Sequence, residues 1–175
     1  AGKPIDLTPL VKLLRMSTET ADTLFVLLDT ELQFIDYYVT VMSSSLGSNF
    51  KYIKDIENGI DTAQIMLPSM TLLTFAENAV KHGLSKLPDD VEKTLEINIR
   101  RHDKGVRIEV IDNGNCNKDA QLSNTNTGLK VIRQTLMLLN ENYKEKMTFG
   151  VGNIESGHGF MSWLYIPDNF TFTNY

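Results

Sequence analysis

Apolar residues recur every three or four positions along the first third of the chain, in two stripes. This spacing places the members of each stripe on one face of a helix. The stripes are Leu7, Leu10, Val11 and Leu14, then Leu28, Leu32, Ile35, Val39, Met42 and Leu46. A polar break at 18–23 and a short apolar run at 24–28 separate them. We therefore predict two helices, joined by a strand or an extended linker.

The remainder of the chain alternates strand and helix patterns. Residues 50–57 are predicted to form a strand that an Asn-Gly turn closes. Apolar and polar residues alternate at 95–100 and at 106–110 around a turn at 103–105, which indicates a hairpin with one buried face. The other predicted elements are helices at 70–84 and 128–142, strands at 147–151 and 160–166, a polar loop at 113–127 and a frayed tail at 168–175. Strands in adjacent pairs with helices between them favour an α+β sandwich.

Charge and composition exclude several classes of protein. The 175 residues include 17 basic and 22 acidic side chains, a net charge of −5, which argues against direct nucleic acid binding because duplex DNA requires a basic face. A nucleotide carried with a metal ion stays compatible with this charge. The single cysteine, Cys116, excludes an internal disulfide and indicates a reducing compartment. The longest charge-free run, Thr62 to Ala76, has 15 residues, fewer than the roughly 20 that a membrane-spanning helix needs.

The predicted helix at 70–84 has a polar face whose members share helical spacing. They are Thr74, Glu77, Asn78, Lys81 and His82. Such a face is ordinarily solvated, with Glu77 and Lys81 forming an ion pair one turn apart. A carboxylate, an amide oxygen and an ammonium on one face also suit Mg²⁺ and phosphate, because Mg²⁺ prefers oxygen ligands. The face alone leaves both interpretations open.

Two further features point to a ligand. Asp112 is in phase with the buried face of its strand, and a buried carboxylate requires a hydrogen-bond donor, which an amino group on a heterocycle can supply. Asn113-Gly114 follows, so the backbone turns there and can approach a flat ligand closely. Thr127-Gly128 begins a predicted helix, whose free N–H groups and dipole suit a phosphate. Each feature is weak alone, because turns and helix starts of this kind are common.

Taken in order, these segments resemble the N, G1 and G2 boxes of the Bergerat (GHKL) ATP-binding fold. The matching segments are Glu77-Asn78-Ala79-Val80-Lys81-His82-Gly83, Asp112-Asn113-Gly114 and Thr127-Gly128-Leu129-Lys130. The first matches the N box of the LytS-type sensor histidine kinases without a gap. Further segments look like other motifs of that group, namely Leu13-Leu14-Arg15, Leu28-Asp29-Thr30-Glu31-Leu32, Tyr38-Val39, Gly157-x-Gly159 and Ile166-Pro167.

The resemblance implies a fold, a division of the chain and a role for each matched residue. The fold is a two-layer sandwich with a mixed, largely antiparallel sheet. Residues 1–48 would be the end of a dimerisation region and its connecting helix, 49–168 the catalytic domain, and 169–175 a tail. Asn78 would ligate Mg²⁺, with Glu77 beside it as the catalytic candidate. Asp112 would accept from the adenine amino group, Gly114 would admit the ring, and the phosphate contacts would be Lys81, His82, Thr127, Gly128 and Leu129.

Departures from the family pattern shape the expected activity. Cys116 replaces a second glycine after Gly114, and Asn126 replaces the first glycine of the third box, at the two ends of an expected lid at 115–126. Thr74 stands where the ATPases of the superfamily carry a water-activating glutamate, so we do not expect fast hydrolysis. The setting of the family's phosphoacceptor histidine is found at none of the three histidines, His82, His102 and His158.

We expect the ATP-binding catalytic domain of a two-component sensor histidine kinase. It would supply Mg·ATP for phosphorylation of a histidine outside this chain, and then of a response regulator, within a homodimer. The chain begins Ala1-Gly2 without a methionine, as an excised fragment does, so we expect a cytoplasmic part of a membrane-anchored bacterial protein. Two alternatives stay open. A degenerate domain acting as a dimerisation scaffold is favoured by Cys116 and Asn126, and an anti-sigma-type protein kinase is opposed by the long helix at 28–46.

Overall fold

Four helices and seven strands make up the part of the chain that the computed structural model describes, residues 6–19, 22–114, 127–141, 143–154 and 159–172. The helices are α1 (Thr8–Glu19), α2 (Leu28–Leu46), α3 (Thr71–Asn78) and α4 (Thr127–Asn140). The strands are β1 (Phe25–Leu27), β2 (Phe50–Ile56), β3 (Met66–Pro68), β4 (Lys93–His102), β5 (Gly105–Asp112), β6 (Thr148–Asn153) and β7 (Phe160–Pro167). Within these described residues, no helix is both long and apolar enough to cross a membrane.

Five of the strands form one mixed sheet in the order β2-β4-β5-β7-β6. The β2–β4 pair is parallel, and the other three pairs are antiparallel. The predicted hairpin is β4–β5, which pairs Leu95 with Asp112 at one end and His102 with Gly105 at the other. The two remaining strands, β1 and β3, form a separate antiparallel pair. The α+β class and the largely antiparallel mixed sheet are therefore confirmed.

One face of the large sheet carries the hydrophobic core. Burial alternates along β4, β5 and β7, as the period of two predicts, and the inward side chains pack against helices α2, α3 and α4. The apolar stripe of α2 lies in this same core, where Leu28 and Ile35 are fully buried. Helix α1 packs against α2, but its own apolar stripe faces outward, with Leu7, Val11 and Leu14 each 57–60% exposed.

The segment predicted as one helix at 70–84 is divided in the structure. Pro68 ends β3, which pairs with β1, and Met70 adopts a left-handed φ of 66°, so that α3 begins at Thr71. After Asn78 the helix widens into a single π-helical turn, Ala79–Gly83, followed by a tight turn, Leu84–Lys86. Apolar periodicity predicts the buried face but carries no signal for either change of backbone geometry.

The C-terminal segment up to residue 172 packs instead of fraying. The ring of Phe170 stacks on Tyr143 with 4.1 Å between centroids, and Phe172 contacts Phe25 at 4.5 Å. Phe170 is 8% exposed. Burying aromatic surface of this size stabilises the segment enough to order it, so the prediction of a frayed tail was wrong for these residues.

Candidate functional site

The strand β5 ends at a buried carboxylate, as its alternation predicts. Asp112 is 1% exposed, and its Oδ1 accepts a hydrogen bond of 2.8 Å from the Gly114 N–H. Burial raises the pKa of Asp112 to about 7, although the Gly114 N–H acts in the opposite direction. One backbone donor does not replace the water that the carboxylate has lost. A ligand that brings a further donor to Asp112 would favour its charged form.

Two glycines form the wall beside Asp112. A Cβ atom built on Gly83 would lie 2.2 Å from Asp112 Oδ1, and one built on Gly114 would lie 2.4 Å from Gly83 Cα. The backbone of the wide turn after α3 therefore lies directly against the backbone that leaves β5, with no room for a side chain. In the structure Gly114 packs against Gly83, and its role in admitting a flat ring stays a prediction.

Asn113 holds the chain in place after β5. Its Oδ1 accepts from the Thr94 N–H at 2.8 Å, and its Nδ2 donates to the Glu92 carbonyl at 2.7 Å. Glu92 immediately precedes β4 and Thr94 is its second residue, and β4 is paired with β5. The sequence predicted a turn at this position but not these bonds, which fix the segment that follows Asp112 to the sheet.

The polar face predicted for one helix at 70–84 is divided between α3 and the wide turn that follows it. Asn78 is the last residue of α3 and is buried, whereas Glu77 and Lys81 are exposed and His82 is half-buried. Lys81 and His82 lie on the wide turn, so they do not continue the angular spacing of Glu77 and Asn78. Turns of this π-helical type occur frequently at functional sites. Helix α3 also packs against α4 and β5, and the wide turn packs against β5. The first two matched segments therefore meet at Gly83, Asp112 and Gly114.

Acidic and basic side chains lie together around the wide turn. Partial exclusion of water raises the pKa of Glu77, and the Lys81 ammonium opposes this. Burial, Lys86 and Lys81 lower the pKa of His82, in that order. The His82 ring can offer a phosphate an N–H donor. Lys81 supplies positive charge on the wide turn, and Lys86 supplies it on the tight turn that follows.

The third matched segment is described from Thr127 onward. Thr127, Gly128 and Leu129 form the first turn of α4, whose first N–H groups have no partner within the helix. The expected lid at 115–126, with Cys116 and Asn126, lies outside the described residues, as does His158. His102 ends β4 and is exposed.

The donor set suits a metal that reaches the protein together with a nucleotide. In the described ranges, no group of three or more His, Cys, Asp or Glu side chains could hold a metal ion. Asn78 and Glu77 offer one amide oxygen and one carboxylate. Mg²⁺ commonly binds through one or two protein oxygens, substrate phosphates and waters. The residues present therefore fit Mg²⁺ carried by phosphates.

One buried carboxylate that contacts the start of α3 was not predicted as functional. Glu31 of α2 is completely buried, and its carboxylate accepts from the backbone N–H groups of Met70, Leu72 (2.9 Å) and Leu73 (3.2 Å). It thus caps the start of α3 from another helix. Burial raises the pKa of Glu31 to about 7, and the three N–H groups oppose the shift. The sequence did contain a signal for the burial of Glu31, because this glutamate is in phase with the apolar stripe of α2.

A second concave region lies away from the matched segments. It is a cleft of about 500 Å³ lined by Ile65, Val106 and Phe170, with Arg101 and Asp168 paired at 2.6 Å within it. Val106 and Asp112 stand near opposite ends of β5. The cleft contains none of the predicted site residues.

Comparisons with known proteins agree on the fold. No family model matches the sequence, and no curated protein matches it. Among solved structures, the nucleotide-free catalytic domain of histidine kinase ThkA has a TM-score of 0.56 and 13% identity, covering 82% of this chain and 93% of that one. The histidine kinase domain of a blue-light activated kinase from Erythrobacter litoralis EL346 has a TM-score of 0.59 and 16% identity, covering 92% and 78%. ThkA in complex with the response regulator TrrA has a TM-score of 0.57 and 13% identity, covering 97% and 53%. At these identities the likeness concerns the fold, and the chain has the fold of histidine kinase catalytic domains.

Proposed function

We propose that this chain is the ATP-binding catalytic domain of a two-component sensor histidine kinase. The observation that carries the proposal is the buried Asp112 carboxylate, which lies against Gly83 and Gly114 and holds one hydrogen bond among the described residues. An adenine ring would bring an exocyclic amino group to this acceptor. Guanine has a carbonyl at the equivalent ring position, and two acceptors facing each other would repel.

The remaining matched residues would hold the phosphates and the metal. Asn78 would ligate Mg²⁺, which neutralises phosphate charge when bound, and Glu77 would lie beside it as the catalytic candidate. Lys81 would add positive charge, while His82 and the first turn of α4, Thr127 to Leu129, would donate hydrogen bonds. Catalysis of phosphoryl transfer is mostly positioning and charge stabilisation of this kind.

The environment of Thr74 supports transfer over hydrolysis. Its hydroxyl donates to the Met70 carbonyl at 2.6 Å, one turn back along α3. A hydroxyl in this role does not activate water as a glutamate would. We infer that the γ-phosphoryl group passes to a histidine outside this chain and then to an aspartate of a response regulator. ThkA, which shares the fold, was solved in complex with such a regulator.

We place this domain in a homodimer of the LytS type, on the cytoplasmic side of a membrane-anchored bacterial protein. The ungapped N box supports the subtype. The outward apolar stripe of α1 supports dimerisation, because such a stripe is ordinarily covered by another helix. In this proposal residues 1–48 end the dimerisation region, 49–168 form the catalytic domain and 169–175 are its tail.

Nucleotide titration of the 175-residue chain tests the proposal. We expect Mg·ATP to bind and raise the melting temperature by mass action, and Mg·GTP to bind much more weakly. With radioactive γ-labelled ATP, the chain alone should not label itself, whereas an added fragment carrying an upstream histidine helix should accept the label. Absence of binding at millimolar Mg·ATP would favour the scaffold alternative. Labelling of a protein serine in place of a histidine would favour the anti-sigma-type kinase.

A further inference from the structure

Helix α2 packs against α3 and caps its start. Glu31 and Tyr38 are about two turns apart on α2 and so lie on one face of it. Glu31 caps the first turn of α3. Tyr38 is half-buried on this face, and burial, followed by the charge of Glu77, raises the pKa of Tyr38 to about 12. The cap that Glu31 provides therefore lies within the contact between the two helices.

The contact made by Glu31 holds a backbone conformation that α3 would not adopt alone. Met70 has a φ of 66°, a left-handed value that is unfavourable for a residue with a side chain, and its N–H donates to Glu31. The next donors, Leu72 and Leu73, belong to the first turn of α3, where N–H groups lack partners within the helix. Glu31 therefore sets where α3 begins and how its first turn is oriented.

If the start of α3 moved, Asn78 at its other end would move with it. The helix has 8 residues and contains neither glycine nor proline, so it moves as a rigid unit. Asp112 belongs to β5, which is paired on both sides within the large sheet. Moving α3 would therefore shift Glu77 and Asn78 relative to Asp112, on the metal side of the site, and leave Asp112 in place.

We propose that Glu31 is a positioning residue of the nucleotide site, which fixes Glu77 and Asn78 relative to Asp112 through the first turn of α3. The orientation of α2 is thereby coupled to the Mg²⁺-dependent part of nucleotide affinity. This inference rests on the proposed function. The inference goes beyond the proposed function because it assigns a role to Glu31, which would contact neither the base nor the phosphates.

The test compares two isosteric substitutions on the same helix. Glu31→Gln keeps one acceptor oxygen and places an NH₂ group against a backbone N–H. The matched control is Asp36→Asn, since Asp36 accepts from Tyr52 Oη at 2.9 Å and Lys54 Nζ at 2.8 Å, both on β2. The affinity for ADP is measured by calorimetry with Mg²⁺ and with EDTA, well below the melting temperature of each variant.

We expect Glu31→Gln to reduce the gain in affinity that Mg²⁺ gives by at least about fivefold, the lower end of typical coupling between sites in proteins. Affinity in EDTA should be unchanged, and Asp36→Asn should resemble the parent in both conditions. An unchanged Mg²⁺ gain in Glu31→Gln would overturn the proposal. So would an equal loss of affinity with and without Mg²⁺, because that would indicate general damage.

Amide hydrogen exchange separates failure of this inference from failure of the proposed function. If the parent binds no adenine nucleotide, the proposed function is wrong, and exchange in the nucleotide-free protein then decides the positioning role. Faster exchange at 72–83 in Glu31→Gln, but not in Asp36→Asn, would support it. Equal exchange in parent and Glu31→Gln would overturn it.

Discussion

Glu31 and Asp112 are two buried carboxylates in different surroundings. Both are almost completely excluded from solvent, at 0% and 1% exposure, and burial raises the pKa of each to about 7. Their partners differ. Glu31 accepts three backbone N–H groups at the start of α3, whereas Asp112 accepts one N–H among the described residues, at the end of β5.

The difference separates a carboxylate used by the fold from one left for a ligand. A buried acceptor with unused capacity raises the free energy of the unliganded protein, and a donor on a ligand can recover that free energy. Gly83 and Gly114 let backbone pack closely around Asp112 without adding a side chain that could donate to it. At the start of α3, by contrast, backbone donors occupy both oxygens of Glu31.

The largest expected effect is on the pH dependence of stability. Both folded-state pKa values are raised, so the stability tied to these groups is complete below the unfolded-state values near pH 4 and is lost as pH rises through about 7. For Asp112, a shift from 3.8 to about 7 corresponds to about 4 kcal/mol. Urea unfolding at pH 5 and pH 8 should show the part of this loss that lies above pH 5, roughly 3 kcal/mol, in the parent. The loss should be smaller in Asp112→Asn, in which the other titrating groups are retained. Identical pH slopes in the two proteins would show that Asp112 is not buried as described.

Adding a methyl group at the close contact between Gly114 and Gly83 should give the next largest effect. In Gly114→Ala the new Cβ would lie 2.4 to 2.7 Å from backbone atoms of Gly83, which cannot rotate away. Overpacking of this kind destabilises by about 1–3 kcal/mol, and we expect the upper end together with loss of nucleotide binding. The control is Gly152→Ala on β6, where a Cβ would meet nothing within 4 Å. Equal melting temperatures for the two variants would contradict the close contact.

Local sequence patterns predicted the strand that carries Asp112 and the burial of its side chain. Alternation with a period of two determines which strand residues face the core, so the β4–β5 hairpin and the burial of Asp112 follow from the sequence. The start of α4 was predicted at Gly128 and lies at Thr127, because helix-start signals are local as well. The close contact of Gly83 with Gly114 was not predicted, since it depends on how the turn after α3 packs on β5.

The contacts of Glu31 could not be predicted from local sequence patterns, because they too depend on tertiary packing. Its partners, Met70, Leu72 and Leu73, lie about 40 positions further along the chain, and no periodicity connects them. The left-handed φ of Met70 and the widened turn at 79–83 are backbone features that tertiary packing imposes on a segment with ordinary helical periodicity. The hydrogen bonds of Asn113 to Glu92 and Thr94 were not predicted either, because these partners lie about 20 positions earlier in the chain.

Substituting each carboxylate should separate their roles in binding. Asp112→Asn keeps the size of the side chain but replaces an anionic acceptor, and should weaken ATP binding by roughly 1.5–3 kcal/mol, the range for a hydrogen bond to a charged group. Glu31→Gln should leave affinity in EDTA unchanged. Calorimetry on both variants checks this. If Asp112→Asn bound ATP and GTP as the parent does, Asp112 would have no part in base recognition.

The smallest expected effect is on the pH dependence of binding, and it has the opposite sign to the effect on stability. An adenine amino group stabilises the ionised form of Asp112, so binding must remove the proton that burial retains below pH 7. Affinity should rise from pH 6 to pH 8 by about tenfold, because about one tenth of Asp112 is ionised at pH 6 if its pKa is about 7. The phosphates of ATP also titrate in this range, so Asp112→Asn, which leaves them unchanged, is the reference. The proton released on binding can be measured directly from calorimetry in buffers of different ionisation enthalpy, and the parent should release more than the variant at pH 6. Equal proton release would mean that the donor of the ligand does not reach Asp112, and the contrast between the two carboxylates would then rest on stability alone.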